Sequence, residues 1–189
     1  MTAPSPSPAP APAPVVLETH RLRLEPFAEA HLTERYVRWL GDPAVMKYSE
    51  QRFRTHTLAS NREYWASFVG TPNLFYAVVA KDGELGHIGN LNVYVDVRHG
   101  SADIGILVGD PKSWGKGYGA EAWAAMLQHL LRDRGLRKVT GGCVANNEAM
   151  VRIMKRCGMV EDGRRVRQYV YDGEEVDVVY YASFSGSGQ

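Results

Sequence analysis

The chain has 189 residues, of which 44% are hydrophobic and 23% charged, and its formal net charge is +1. That balance fits one globular domain with enough interior for a core, and it offers no global field for nucleic acid or an anionic membrane. No apolar run reaches the roughly 18 residues of a membrane span, and the N-terminus lacks the regions of a secretory signal.

The expectation is a cytoplasmic protein without nucleic-acid or membrane partners, acting as a monomer or homodimer. Cys143 and Cys157 have neither metal-ligand nor disulfide-framework spacing, so they read as reduced thiols and no metal is expected.

Residues 1–15 are nearly all Pro, Ala and Ser without charge, a composition that cannot offset its ordering entropy and reads as a disordered tail. Residues 16–184 form the expected domain, and 185–189 a short flexible tail. Arg21–Glu25 alternates as a first strand. Phe27–Leu40 has Leu32, Tyr36, Trp39 and Leu40 at helical spacing, stopped by Gly41-Asp42-Pro43. Thr57 or Ser60 can cap a second helix running to about Val69. Strands follow at Leu74–Ala80, Gly86–Val95 and Ala102–Val108, the first two joined by a Lys81-Asp82-Gly83 turn. Gly117–Arg134 is a helix closed by Gly135, and Lys138–Val144 a strand. Asn147–Cys157 is a helix closed by Gly158. Two strands, Arg165–Tyr171 and Val176–Phe184, meet at Asp172-Gly173. The fold class is α/β (α+β): a mixed, mostly antiparallel sheet flanked by helices.

The chemistry concentrates in Asp110-Pro-Lys-Ser-Trp-Gly-Lys-Gly-Tyr-Gly-Ala-Glu-Ala122. A strand runs into a Gly-rich loop that opens a helix. Glycines at 115, 117 and 119 let successive N–H groups face one concavity. With the positive end of the helix dipole they make a phosphate site, and Lys116 adds a charge. By itself such a loop is equally a tight connection. It lacks the Gly-Lys-Ser/Thr ending of a nucleoside-triphosphate loop and the second-strand acid of a dinucleotide site.

Trp114-Gly-Lys-Gly-Tyr-Gly-Ala120 resembles the pyrophosphate loop of GNAT acetyltransferases, written Q/R-x-x-G-x-G/A. Ala102-Asp-Ile-Gly105 is similar to the family's central strand, and Asn147-Glu-Ala-Met-Val-Arg-Ile-Met-Lys-Arg-Cys-Gly-Met159 to its later signature. Leu17-Glu-Thr-His-Arg-Leu-Arg-Leu24 looks like the RimJ/RimL branch. The resemblance implies a GNAT fold and acetyl-CoA as cosubstrate. It implies that Trp114, Gly115, Lys116, Gly117, Tyr118, Gly119 and Ala120 hold the diphosphate. The pantetheine arm would pair with Ile106, Leu107 and Val108, and Asn147 would bond that arm, cap its helix, or both.

Three positions depart from the family. Trp114 stands for Gln or Arg. Met154 replaces the tyrosine that protonates the leaving thiolate, and Met150 replaces the serine that does so in RimL-like enzymes. A base must deprotonate the amine, whose pKa is near the lysine value of about 10.4. Asp103 is the first candidate, matching the glutamate base of some histone acetyltransferases of the superfamily. It shares a strand face with Gly105 and Leu107, and the strong bland reading is a strand carboxylate that only binds backbone or an arginine at the sheet edge. His87 and Glu50 come next.

On the acceptor side, the polar, aromatic connection Tyr48–His56 should shape the pocket, with Tyr48, Glu50, Arg52 and Arg54 as substrate-binding candidates beside His87 and Asn90. Arg52 and Arg54 suit a phosphate or carboxylate, or are solvated. Asn90 and Asn92 suit sugar hydroxyls, or face solvent. The layout is also similar to acetyltransferases for nucleotide-linked amino sugars, which implies an amino sugar as acceptor; a protein N-terminus is the other expectation. A polyamine or antibiotic amine fits less well, because the loop is poor in carboxylates. The alternative reading is a non-catalytic coenzyme A sensor with a degenerate site.

Overall fold

Alternating apolar and polar residues in the first half of the chain become an antiparallel meander. In the computed structural model, which describes residues 15–186, strands β1 (Leu17–Glu18), β2 (Leu22–Pro26), β3 (Leu74–Ala80), β4 (His87–Asp96) and β5 (Ser101–Val108) pair in sequence order. The expected tails at 1–14 and 187–189 lie outside the described residues. Val15, also assigned to the tail, accepts a hydrogen bond on its carbonyl from the Tyr76 hydroxyl at 2.9 Å.

Strands β6 (Lys138–Val144), β7 (Val160–Tyr171) and β8 (Glu174–Phe184) complete an eight-stranded sheet of order β1-β2-β3-β4-β5-β6-β8-β7. Helices α1 (Glu34–Gly41) and α2 (Leu58–Ala66) lie between β2 and β3, α3 (Tyr118–Gln128) between β5 and β6, and α4 (Glu148–Arg156) between β6 and β7. Successive side chains of a strand point to opposite faces, and β3 shows it. Its Tyr76 and Val78 join the cluster built on Trp123, Met126 and Leu130 of the α3 side, while Phe75 and Ala77 join Tyr36, Trp39 and Phe68 of the α1–α2 side. The sheet is therefore covered on both faces, as expected.

Two helices differ from their sequence expectation. Phe27 is still extended, its N–H donating to Phe75 O, and Glu29–His31 is a single 3₁₀ turn. The helix proper starts only after Thr33, whose hydroxyl accepts from Tyr36 N, because a side-chain cap defines a start better than periodicity does. The helix expected over Gly117–Arg134 is α-helical to Gln128 and closes as a π turn over His129–Asp133. The exposed run Arg164–Arg167 lies on edge strand β7; a register shift there is held by Asp177, which accepts from Arg164 and from Arg167 N.

The sheet forks at its centre. Strand β5 pairs with β6 in parallel, and only through Ser101, Ala102 and Asp103 opposite Lys138, Val139 and Thr140. Beyond that point the two strands part. The Trp123 indole from α3 lies at the fork, where a Cβ on Gly141 would be 2.6 Å from Trp123 Cζ2 and 3.2 Å from Ile104 O. A side chain at 141 would exclude the indole. Gly141 thus allows a fully buried wedge that keeps the edge of β5 from Ile104 onward free of a strand neighbour.

Candidate active site

The loop after β5 is built from its first residue onward. Asp110 accepts Lys112 N on one carboxylate oxygen at 2.9 Å, closing the turn Pro111–Ser113, and its other oxygen meets the Arg35 guanidinium of α1. Trp114 donates its indole N–H to Val108 O at 2.8 Å, so the residue at the family's Gln/Arg position pins the loop to the end of β5.

Gly115 and Gly117 then adopt φ of +72° and +83°, the left-handed region where glycine carries no penalty. Gly117 is the N-cap of α3 and brings no capping side chain. Helices α1, α2 and α4 are each capped by a side chain: Thr33, Thr57 and Asn147. The first-turn N–H groups of α3 are thereby left for an anion, at the positive end of the helix dipole. A Cβ at Gly119 would approach Ile153 Cδ1 to 3.1 Å and Val108 Cγ2 to 3.4 Å, so α3 starts directly against the end of β5. These residues fit a diphosphate.

Behind the loop stands a clamp that sequence reasoning missed. Arg21, in the β1–β2 turn, donates from Nη1 to Lys116 O at 2.8 Å and from Nε to Glu121 at 2.7 Å, and its guanidinium lies 4.6 Å over the Tyr118 ring. Glu121 also accepts from Thr19 at 2.6 Å and from Arg21 N at 2.8 Å. Burial alone would raise the Glu121 carboxyl, but these hydrogen bonds and the guanidinium charge outweigh it and hold the pKa low. A carboxylate in the first turn of a phosphate-binding helix opposes the ligand unless it is neutralised, and Arg21 neutralises it. The partners are about 100 residues apart in sequence, so no local pattern announces them.

A cavity of about 380 Å³ opens where β5 and β6 part. Its sheet wall includes Asn90, Asn92, Gly105, Ile106, Leu107 and Cys143, and its helix wall Tyr36, Asn61 and Tyr64. The connection after α1 adds Tyr48, Arg54 and His56, and α4 adds Asn147 and Met150. Of the sequence candidates, this brings together Tyr48, Arg54, Asn90, Ile106, Leu107 and Asn147. Among the described residues no Asp or Glu lines the cavity. Burial raises the Tyr36 and Tyr64 phenols and pushes the Cys143 thiol up to about 11, so all three stay protonated at neutral pH. Asn147 uses its oxygen to accept Met150 N at 3.2 Å, which makes it a helix cap. Met150 faces the cavity, whereas Met154 is fully buried in the core, so neither replaces the missing acid.

The remaining candidates stand outside the lining. Arg52 turns inward to other partners: its Nη1 donates to Glu50, to Ser49 O and to the Tyr171 hydroxyl, and its guanidinium lies 4.2 Å over Phe53 and 4.0 Å over Tyr171. It ties the α1–α2 connection to the end of β7, and Glu50 serves that tie. Asp103 lies on a separate hollow of about 400 Å³ with Asp96, His99, Arg137 and Lys138, accepting from Thr140 Oγ1 at 2.7 Å. The hollow partly desolvates it and raises its pKa against that hydrogen bond, while the side chain stays exposed. Tyr64 of the first hollow and Tyr94 of the second meet hydroxyl to hydroxyl at 3.0 Å.

His87 lies behind Asn90 among Phe27, His31, Tyr36 and Trp39. Its burial drives the pKa down to about 4, leaving a neutral ring at pH 7. Among the described residues just two buried side-chain polar atoms lack a hydrogen-bond partner, Asn61 Nδ2 and Asn90 Nδ2, and both residues line the cavity. Each unmet donor costs about 1–3 kcal/mol. No cluster of His, Cys, Asp and Glu among the described residues suits a metal, and no helix among them is long and apolar enough to cross a membrane.

The profile of the acetyltransferase (GNAT) domain matches residues 21–160, most of the chain and all of the loop, fork and cavity just described. The chain belongs to the GNAT family and is an acyltransferase, using acetyl-CoA to transfer acetyl. Solved structures agree on the fold. A GNAT-family acetyltransferase from Bacillus anthracis superposes with a TM-score of 0.76 at 23% identity, over 90% of this chain and 98% of its own. RimL, a ribosomal-protein α-N-acetyltransferase solved with coenzyme A, gives 0.78 at 16% identity over 92% and 100%. Spermidine N-acetyltransferase from Vibrio cholerae, solved with coenzyme A and spermine, gives 0.76 at 19% identity over 88% and 97%.

Proposed function

We propose that this protein acetylates a primary amine of a protein N-terminus or an amino sugar. The observation that carries the reading is the alignment of an uncapped α3 N-terminus with the free edge of β5 and a cavity without carboxylates. The amides of Gly115–Ala120 hold the diphosphate, with Lys116 adding charge and Trp114 and Arg21 fixing the loop. The main chain of Ile106–Val108 runs beside the pantetheine, with Asn147 capping α4 at the same opening. Acetyl-CoA, bound there, supplies an activated thioester.

The chain's own residues then bind and orient the amine, which gives most of the advantage of an intramolecular reaction. Tyr48, Arg54 and Asn90 line its path. Arg54 makes no ion pair among the described residues, so it is available for an acceptor carboxylate or phosphate. The amine arrives as an ammonium and has to lose a proton. Asp103 is the proposed base. Because it stands on the second hollow, it acts through the Tyr94–Tyr64 hydroxyl pair and water rather than by direct contact.

Met150 and Met154 favour a second reading, a coenzyme A sensor without turnover. The deciding experiment measures thiol release from acetyl-CoA with a panel of primary amines, including a short peptide, glucosamine and spermidine. Turnover with the peptide or glucosamine supports the enzyme. Coenzyme A binding without turnover on any amine establishes the sensor instead.

A further inference from the structure

Resting on that reading, we infer that Asn61 and Asn90 form an oxygen-recognising subsite, so that the acceptor amine carries a carbonyl or hydroxyl oxygen near its amino group and no second cation.

The orientation of Asn90 follows from its neighbours. His87 Nε2 lies 3.0 Å from Gly89 O and 3.0 Å from Asn90 Oδ1. A carbonyl only accepts, so Nε2 carries the hydrogen. The Asn90 atom facing that N–H is therefore the oxygen, which leaves Nδ2 as the free end. His87 acts as a positioning residue that fixes which end of the amide is offered.

Asn61, opposite on α2, is 3% exposed and makes no side-chain hydrogen bond among the described residues; Asn90 is 4% exposed. Buried polar groups nearly always find partners. Two orphans in one molecule, both lining the same cavity, mark where a ligand brings acceptors. Asn92 adds a third amide without an internal partner, lying over Gly105, where a Cβ would come within 2.8 Å of Asn92 Oδ1. Both orphaned buried atoms among the described residues are thus amide nitrogens, donors without an acceptor. With no carboxylate and with Arg54 in the lining, nothing offsets the further ammonium groups of a polyamine. Oxygen acceptors satisfy the donors; a bare alkyl chain does not. An α-amino carbonyl of a peptide and the vicinal hydroxyls of an amino sugar share this chemistry.

The test compares kcat/KM for matched amines in the wild type, Asn90→Leu, Asn61→Leu and Asn90→Asp. Alaninamide is paired with isopropylamine and glucosamine with cyclohexylamine, each corrected to its free-amine fraction, and spermidine is the polycation. The expected result is an oxygen-over-alkyl preference in the wild type that shrinks about 10–100-fold in the leucine variants, the scale of one lost buried hydrogen bond. Which pair shows the larger preference identifies the source of the oxygen. Asn90→Asp keeps the size and the His87 contact, and should shift selectivity toward spermidine. Circular dichroism and the KM for acetyl-CoA should stay near wild type.

Equal losses on both members of each pair would overturn the subsite, as would a wild type that prefers spermidine. A loss confined to acetyl-CoA KM would turn the amides toward the cosubstrate instead. These outcomes leave the acetyltransferase reading standing, whereas a wild type without turnover on any amine removes both.

Discussion

The two ends of the site are built on opposite principles. At the mouth of α3, a short contiguous loop offers main-chain N–H groups, and side chains serve mainly to hold it in place: Trp114 on Val108 O, Arg21 on Lys116 O and Glu121. In the cavity beneath α1 and α2 the polar groups on offer are side chains brought from several elements, Asn61 from α2, Asn90 from β4 and Arg54 from the connection. Main-chain recognition suits a ligand that never changes, since a phosphate needs only oriented amides and a dipole. Side-chain recognition suits an acceptor that differs from one relative to another. One scaffold can therefore keep its cosubstrate while its amine diverges.

The largest effect expected on the acceptor side is kinetic. Asp103→Asn should lower kcat by about 10²-fold, the low end of general-base catalysis because the contact is relayed. Much of it should return at high pH, where the amine deprotonates unaided. The melting temperature should move little: the hollow raises the Asp103 pKa, but the side chain is exposed, and the amide of Asp103→Asn can keep the Thr140 hydrogen bond. A normal kcat in the folded variant takes Asp103 out of the mechanism.

His87 gives the next largest signal. Its folded pKa of about 4 lies below the ordinary 6.5, so the unfolded chain binds the proton first as pH falls. The stability His87 contributes is present above pH 6.5 and is lost as pH drops toward 4, by about 2–4 kcal/mol. Urea melts from pH 7 to 4 should show this slope in wild type and a shallower one in His87→Gln. Equal slopes would mean that the folded ring takes up its proton at the same pH as in the unfolded chain.

Smaller again is the clamp behind the loop. Arg21→Gln leaves the Glu121 carboxylate unneutralised beside the diphosphate, and coenzyme A affinity should fall about 10-fold, the scale of one charged hydrogen bond. Adding Glu121→Gln should restore much of it. A double variant no better than the single one would reduce the clamp to packing.

Of these two ends, one is legible in the sequence and the other largely hidden. The glycines at 115, 117 and 119, the strand before them and the helix after them are contiguous, so spacing exposes a Gly-rich strand-to-helix turn, and the family resemblance is what reads it as an anion cradle. The two-sided sheet is equally readable, because period-2 alternation is local. Arg21 and Glu121 meet across the whole first half of the chain, and neither carries a pattern that names the other. Asn61 lies inside a helix whose polar positions look alike in sequence; only the tertiary fold shows which one turns inward. Arg52 and Arg54 are two residues apart in one loop, yet Tyr171, far along the chain, engages the first and leaves the second in the cavity. His87 is readable as a titratable group near a strand start, but its aromatic surroundings are not.

The central claim is that the α3 mouth binds coenzyme A through main-chain amides, and calorimetric titration of coenzyme A into wild type and Gly117→Val tests it most directly. Valine at φ +83° is strained whatever the space around it, so the turn that aims the α3 amides at a diphosphate is lost. The account predicts at least about a 10-fold loss of affinity with circular dichroism unchanged. Equal affinity in the two proteins would contradict it.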